Sequence, residues 1–253
     1  MKKDANSLLE IAVQATEIGK SVLKNNRAQS KIVNSEAGHD IKLDGDLISE
    51  KAIIQFLHEQ TEFNIISEEA GNIVGQKDGE YWILDPIDGS LNYSRNIPIS
   101  CISIALWKDN RPVLGVINDF NRGEIFSGIV GQGAWLDNKP VNVSPKDKVE
   151  DSILATGFPS KTDYSSKALS QFVKKVQNFK KIRLIGSASL STAYVASGRF
   201  DAYMEKGIML WDVAAGIAIT VAGGGKYKML QTENIYQYDV IVSNSNIMQY
   251  LEI

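Results

Sequence analysis

The sequence predicts a mixed α+β and α/β fold, with an α+β half at residues 1–150 and an α/β half at residues 151–253. Three observations predict it. Two amphipathic helical segments open the chain, a β-rich middle follows them, and strand-like and helix-like segments alternate after about residue 150. The 253 residues are 43% hydrophobic and 23% charged, which is the balance of an ordinary globular protein.

The first half is predicted from hydrophobic spacing. Apolar residues recur at helical intervals over residues 8–23 and again over 47–57, with a polar stretch at 24–38 between them. Asp46 or Ser49 is suited to cap the second helix. Apolar runs predict strands at residues 63–66, 81–85, 100–108, 113–118 and 124–130. We expect the strands at residues 100–108, 113–118 and 124–130 to form an antiparallel sheet on which the two helices pack.

The second half shows shorter, alternating elements. The predicted strands cover residues 153–156, 182–184, 202–205, 224–230 and 240–243. The predicted helices cover residues 165–179, 188–197, 213–222 and 246–252, and the first of them is expected to turn Phe172, Val173, Val176 and Phe179 inward.

Composition excludes several classes of protein. The net charge of −3, from 27 basic and 30 acidic residues, argues against nucleic-acid binding driven by bulk charge. No apolar run reaches the roughly 20 residues of a membrane span, and the N-terminus lacks a signal-peptide core. The only cysteine, Cys101, cannot form a disulfide within the chain, which fits a reducing compartment. We therefore expect a soluble cytoplasmic protein.

Residues 81–93 are the most informative segment. An apolar strand runs into Asp85, Pro86 stops it, and Asp88 follows three positions after the first carboxylate. Gly89 and Ser90 then begin what we interpret as a helix. Carboxylates hold hard cations, and the free N–H groups of a helix start hold anions. The segment therefore predicts a site for a metal-bridged phosphate.

Other acidic residues also lie where elements begin or end. Glu68 and Glu69 end a strand, whereas Asp46 and Asp212 lie at helix starts. Each has a simpler interpretation: helix caps for the aspartates, a solvated pair for the glutamates, and turn chemistry for the Asp-Pro-Ile-Asp-Gly segment. Crowded carboxylates repel unless a divalent cation joins them, and Mg²⁺ prefers oxygen ligands. Two histidines and one cysteine would make a poor zinc site.

Taken together, these segments resemble the inositol monophosphatase family of Mg²⁺-dependent, lithium-sensitive sugar-phosphate phosphatases. The resemblance covers nearly the whole chain. It is carried by Ile66-Ser-Glu-Glu-Ala-Gly71, Trp82-Ile-Leu-Asp-Pro-Ile-Asp-Gly-Ser90 and Leu210-Trp-Asp-Val-Ala-Ala-Gly216. It implies a layered α/β/α/β/α sandwich that assembles as a homodimer.

The resemblance also implies a role for each site residue. Glu68, Asp85 and the carbonyl group of Ile87 would bind one Mg²⁺, whereas Asp85, Asp88 and Asp212 would bind a second. Glu68 would help to hold a third ion through water.

The remaining implied roles concern the substrate and the attacking water. The backbone N–H groups of Gly89 and Ser90 would bind the phosphate, and Asp46 with the Ser90 hydroxyl would orient the water. The hydroxyl groups of the alcohol part would contact a second set of residues, namely Gly186, Ser187, Ala188, Glu205 and Asp212.

The implied activity is Mg²⁺-dependent hydrolysis of a phosphate monoester of inositol or a related sugar or polyol. Fructose 1,6-bisphosphatase and 3′(2′),5′-bisphosphate nucleotidase activities stay open within the family, as does a non-catalytic phosphate-binding or interaction protein. Two features depart from the family pattern. Ser90 stands where Thr is usual, and Lys42 and Asp44 lie in a segment that usually carries Val-Thr-x-x-Asp.

Overall fold

The structure, a computed structural model, describes residues 3–37, 40–73, 75, 77–158 and 163–253. In the described residues, five layers alternate as helices, sheet, helices, sheet, helices. The layered sandwich implied by the family resemblance is thereby confirmed. No helix in the described part of the chain is long and apolar enough to cross a membrane.

The helices and strands are numbered in chain order. The helices are α1 (Ala5–Asn25), α2 (Asp44–Gln60), α3 (Ser90–Ser94), α4 (Ser166–Val176), α5 (Ala188–Ala196), α6 (Leu210–Ala222) and α7 (Ser245–Met248). The strands are β1 (Val33–Ala37), β2 (Asp40–Leu43), β3 (Phe63–Ser67), β4 (Gly71–Ile73), β5 (Lys77–Asp88), β6 (Cys101–Lys108), β7 (Arg111–Asp119), β8 (Glu124–Ile129), β9 (Gly133–Leu136), β10 (Lys139–Val141), β11 (Ile153–Ala155), β12 (Lys181–Arg183), β13 (Ala202–Met209), β14 (Lys226–Gln231) and β15 (Gln237–Ser243).

The larger sheet has eight strands in the order β10-β9-β8-β7-β6-β5-β3-β4. All neighbours are antiparallel except β3 and β5, which run parallel. Because side chains alternate along a strand, Trp82 and Leu84 pack toward α1 and α2, while Ile83 packs toward the middle helices. Both faces of β5 are therefore buried, and this strand leads directly into the acidic segment.

The smaller sheet has five strands in the order β12-β11-β13-β15-β14. β11 runs parallel to both of its neighbours, whereas β15 runs antiparallel to β13 and β14. Its outer face packs on α4 and α7 through Val176, Ile247 and Met248. Its inner face packs on the helical layer that it shares with the larger sheet.

Helix α6 lies against the larger sheet at a pair of glycines. Gly115 of β7 is paired with Gly128 of β8, so that two adjacent positions lack side chains. A Cβ atom on Gly115 would lie 2.4 Å from the Ala215 carbonyl oxygen, and one on Gly128 would lie 2.9 Å from the Ile219 Cα atom. The glycine pair thus sets how closely α6 approaches the sheet, and α6 carries Asp212.

Several predicted boundaries were wrong. Strands β1 and β2, which pair antiparallel before α2, were not predicted, and β1 lies in the stretch that was expected to be only polar. Helix α2 begins at Asp44, and β13 extends to Met209 rather than ending at Glu205. Val173 was expected to point inward, but it is 54% exposed because its position on α4 faces away from the sheet.

Candidate metal centre and active site

A β-bulge brings the two aspartates of the acidic segment together. Residues three apart on a regular strand point to opposite faces. Here Asp85 pairs with Ser103 and Asp88 pairs with Cys101, so three steps along β5 match two steps along β6. The extra residue turns the second carboxylate to the side of the first. Pro86, which donates no hydrogen bond to the ladder, lies inside this irregular stretch.

Asp88 is held at the start of α5. Its Oδ2 atom accepts hydrogen bonds from the Ser187 hydroxyl and from the Ser189 N–H group, the latter at 2.9 Å. The Ser187 hydroxyl also caps α5 through the N–H group of Leu190 at 3.2 Å. The start of α5 therefore fixes the orientation of a buried carboxylate that comes from β5 of the larger sheet.

Asp46 and Asp212 use one local arrangement. Each is the third residue of its helix, and its Oδ2 atom accepts the N–H group of the residue before that helix. These contacts are 2.7 Å to Leu43 for Asp46 and 3.3 Å to Met209 for Asp212. The helix-capping interpretation and the site interpretation are thus compatible, because the capping contact uses one carboxylate oxygen and leaves the other.

Three carboxylates converge. One oxygen from each of Asp85, Asp88 and Asp212 lies within 4.8 Å of the other two. Glu68 lies beside this group, since its charge raises the pKa of the Asp85 carboxyl more than any other charge does. The four predicted metal ligands with carboxylate side chains therefore come together from the turn after β3, from β5 and from α6.

The electrostatics reflect this crowding. Desolvation, followed by the charge of Glu68, holds the pKa of Asp85 well above its ordinary value. Desolvation and the charge of Asp88 do the same for the pKa of Asp212. For Glu68, desolvation and the charge of Asp212 raise the pKa well above normal. When ionised, these carboxylates therefore carry more negative charge than the protein itself compensates.

These residues fit a hard divalent cation. All the converging ligands are carboxylate oxygens, which Mg²⁺ prefers, and the uncompensated charge favours a cation. The Cys101 thiol, the softest group nearby, lies 3.7 Å from Asp88 Oδ2, and burial raises its pKa well above normal. It therefore stays a protonated thiol, which is a poor metal ligand.

The hydroxyl of Ser90 is held by two acceptors. It lies 2.8 Å from the Ile87 carbonyl oxygen and 3.2 Å from Asp46 Oδ1. Asp46 is 1% exposed, and desolvation raises its pKa to about 7. The predicted pairing of Asp46 with Ser90 is present in the structure. The Ile87 carbonyl, a predicted metal ligand, is shared with the same hydroxyl.

Two backbone segments meet beside Ser90. Gly89 has φ of 85°, and a Cβ atom there would lie 2.8 Å from the Ile99 carbonyl oxygen and 3.2 Å from that of Gly186. The Asn92 side chain donates to the carbonyl oxygens of Ile185 and Gly186 at 2.9 and 3.1 Å. Sequence reasoning missed Asn92, which ties the predicted phosphate loop to the predicted substrate turn.

Glu205 lies at the smaller sheet, next to Tyr203. Its Oε2 atom accepts the Tyr203 hydroxyl at 2.8 Å. Desolvation, with a contribution from the charge of Asp88, raises the pKa of Glu205 to about 7. Glu205 also contributes to the raised pKa of Asp212, so it belongs to the same electrostatic group. The predicted contacts of Glu205, Gly186, Ser187 and Ala188 with a substrate stay predictions.

Lys42 brings a positive charge to the edge of the site. Its ammonium group lies 2.6 Å from Glu69 Oε2, and this hydrogen bond raises the pKa of Lys42. Glu68 and Asp46 are near enough to add to that effect. Asp44 instead accepts a hydrogen bond from Asn34 at 3.0 Å. Lys42 and Asp44, which lie in the same departing segment, thus make different contacts.

The fold and the acidic centre define a layered α/β protein with a cluster of carboxylates that could hold a cation between its eight-stranded and five-stranded sheets. A model of the inositol monophosphatase family matches residues 4–252. The chain belongs to this family, and the resemblance found in the sequence is confirmed.

Two named relatives and two solved structures are similar to the chain. "Nus factor SuhB" of Haemophilus influenzae is 36% identical over 224 residues, covering 87% of this chain and 84% of that protein. The protein of the same name from Escherichia coli is 34% identical over 222 residues, covering 86% and 83%. The extragenic suppressor protein suhB of Bartonella henselae has a TM-score of 0.84 at 28% identity, covering 95% of both chains. An inositol monophosphatase from Anabaena has a TM-score of 0.81 at 29% identity, covering 97% and 93%.

Proposed function

We propose that the protein hydrolyses a phosphate monoester of inositol or a related sugar or polyol, with Mg²⁺ bound at the acidic centre. The observation that carries the proposal is the convergence of Asp85, Asp88 and Asp212 within 4.8 Å, next to the Asp46–Ser90 pair. Membership of the inositol monophosphatase family supports it.

The residues present suit two or three ions. Glu68, Asp85 and the Ile87 carbonyl would hold one ion, and Asp85, Asp88 and Asp212 a second, with any third held loosely near Glu68. When bound, such ions lower the pKa of a coordinated water and neutralise charge on the phosphoryl group.

The chain's own residues position the reactants. The N–H groups of Gly89 and Ser90 bind phosphate oxygens, as the start of a helix can. Asp46 and the Ser90 hydroxyl orient the attacking water. A P–O bond forms to this water as the P–O bond to the alcohol breaks, and the products are the alcohol and inorganic phosphate. Glu205 binds hydroxyl groups of the alcohol.

A substrate panel tests the proposal. Phosphate release is measured with Mg²⁺ for inositol 1-phosphate, fructose 1,6-bisphosphate, a 3′,5′-bisphosphate nucleotide and the hydroxyl-free ester p-nitrophenyl phosphate. We expect the inositol ester to be preferred. A preference of more than about tenfold for the nucleotide, a difference of 1.4 kcal/mol, would show that our choice of substrate is wrong.

Two variants sharpen this panel. Asp88→Asn removes a metal ligand, and we expect it to abolish most turnover of every substrate while the protein stays folded. Glu205→Gln is expected to raise KM for the inositol ester and to leave p-nitrophenyl phosphate unaffected, because that ester has no hydroxyl groups to bind. Inhibition by Li⁺ and assembly as a homodimer are further predictions of the family resemblance.

A second candidate function is interaction with other macromolecules without turnover. The observation that favours it is that the Haemophilus and Escherichia relatives are named as Nus factors. The same panel separates the two functions. A folded chain that binds Mg²⁺ and releases phosphate from none of the esters would support the second candidate.

A further inference from the structure

A buried carboxylate outside the acidic centre holds the turn that carries Glu68. Glu50, on α2, is 5% exposed. Its Oε1 atom accepts three hydrogen bonds, from the Ser67 hydroxyl, from the Glu69 N–H group at 3.0 Å and from the Ala70 N–H group at 3.2 Å. A buried carboxylate is unfavourable unless it is well hydrogen-bonded, and these charge-assisted contacts offset its desolvation.

The three donors flank Glu68 in the sequence. One comes from the residue before it, and two come from the residues directly after it. The Glu68 N–H group itself bonds to the Leu84 carbonyl oxygen at 3.3 Å. The backbone at Glu68 is therefore fixed both to α2, through Glu50, and to β5, next to Asp85.

The same helix face also supports the other side of the site. Asp46 and Glu50 are four residues apart on α2, so they lie on one face of the helix. Asp46 reaches Ser90 at 3.2 Å, and Glu50 reaches the turn after β3. A single helix face thus sets the relative placement of Ser90 and Glu68.

We propose that Glu50 is a positioning residue that aims the Glu68 carboxylate toward a cation shared with Asp85, and that it thereby sets the affinity of the site for Mg²⁺. The inference rests on the proposed function only in taking Mg²⁺ as the bound ion. Glu50 contacts no reacting atom and acts through the turn at residues 67–70. Partners that orient metal ligands typically contribute tenfold to hundredfold to metal affinity.

The test is the Mg²⁺ dissociation constant, measured calorimetrically without substrate. Glu50→Gln keeps the shape of the side chain but loses the negative charge that strengthens the three hydrogen bonds. We expect Mg²⁺ binding to weaken about tenfold or more, and phosphatase activity to recover at saturating Mg²⁺. Ser67→Ala removes one donor and is expected to weaken binding less. Glu59→Gln, on the exposed side of the same helix, is the matched control and is expected to change nothing.

The outcomes separate positioning from simple stabilisation. A Glu50→Gln protein that melts at a lower temperature but binds Mg²⁺ as tightly as the unaltered chain would overturn the proposal. If Glu50→Gln does not fold, the same two measurements are made on Ser67→Ala, and a lower melting temperature with unchanged Mg²⁺ affinity would again overturn the proposal. Because the titration needs no substrate, a chain that shows these affinity differences but hydrolyses no ester would refute the proposed function and support this inference.

Discussion

Asp46 and Ser90 are 44 residues apart in sequence, and the Ser90 hydroxyl lies 3.2 Å from Asp46 Oδ1. The second oxygen of Asp46 is occupied by the Leu43 N–H group at 2.7 Å, so the carboxylate cannot rotate freely. The Ile87 carbonyl accepts the same hydroxyl at 2.8 Å. The pair is thereby held next to the residues proposed to bind the cation.

Replacement of Asp46 is expected to affect turnover far more than stability or metal binding. Asp46→Asn should lower kcat by about 10²- to 10⁴-fold, the usual contribution of a positioned acid–base group, with Mg²⁺ affinity nearly unchanged. Ser90→Thr should stay active, because it keeps the hydroxyl, whereas Ser90→Ala should not. Steady-state kinetics at saturating Mg²⁺ measure this, with Asp44→Asn as the control on the same helix turn. Wild-type kcat in Asp46→Asn would rule out the role.

The metal-free protein is expected to lose stability as pH rises. Unfolded carboxyls ionise near pH 4, but Asp46 and Glu205 have a folded pKa of about 7. Between these values the folded state holds more protons than the unfolded state, so the free energy of unfolding falls with increasing pH. The stabilisation from the two protonated carboxyls is fully present below about pH 4, and it is lost as pH rises through about 7.

Melting temperatures with EDTA at about pH 5 and about pH 8 measure this effect. The protein should melt at a lower temperature at the higher pH, and the Glu205→Gln variant should show a smaller difference. Mg²⁺ at about 100 times its dissociation constant should restore about 2.7 kcal/mol at the higher pH. A melting temperature at pH 8 that does not respond to Mg²⁺ would contradict a cation site at the acidic centre.

Lys42 is expected to help attract the anionic substrate. Its ammonium lies 2.6 Å from Glu69 and near Glu68 and Asp46, so Lys42→Gln leaves this edge more negative. KM for the phosphate ester should rise about threefold to tenfold at low salt and less at high salt, because ions screen the field. Kinetics at two ionic strengths measure this, with exposed Lys51→Gln as control. A KM that is unaffected at low salt would show that Lys42 forms the ion pair with Glu69 but does not attract the substrate.

The glycine pair under α6 is expected to tolerate no side chain. In Gly115→Ala, the added Cβ atom would meet the Ala215 carbonyl oxygen at 2.4 Å, which is backbone and cannot rotate away. Overpacking of this kind costs about 1–3 kcal/mol, and a displaced α6 would also move Asp212 and weaken Mg²⁺ binding. Thermal melting and calorimetry measure the two effects. Arg111→Ala, at the exposed start of the same strand, should show neither, and equal stability in Gly115→Ala would refute the close approach.

Sequence reasoning found the parts of the site that are local. Asp85 and Asp88 lie in the last four residues of β5, and Asp46 and Asp212 lie in the first turns of helices. These positions depend on strand ends and helix starts, which hydrophobic spacing and turn residues mark in the sequence.

The parts that were missed depend on contacts between distant segments. Glu50 reaches the β3 turn 17 or more residues away, and Asn92 reaches Gly186 across 94 residues. The bulge after Asp85 follows from pairing with β6, which no pattern within β5 reveals. In the sequence, polar residues such as Glu50 and Asn92 have the pattern of solvated surface residues, because only the folded chain shows which of them make buried contacts.

The acidic centre draws its carboxylates from two layers of the fold: Asp85 and Asp88 lie on β5, and Asp212 lies on α6, which packs between the larger and the smaller sheet. A cation held there would bridge the first and second halves of the polypeptide, as a covalent cross-link does in other small proteins. Because a buried core already joins the two halves around α6, the cation would add to an existing contact, and the whole chain should be digested more slowly by proteases with Mg²⁺ than with EDTA.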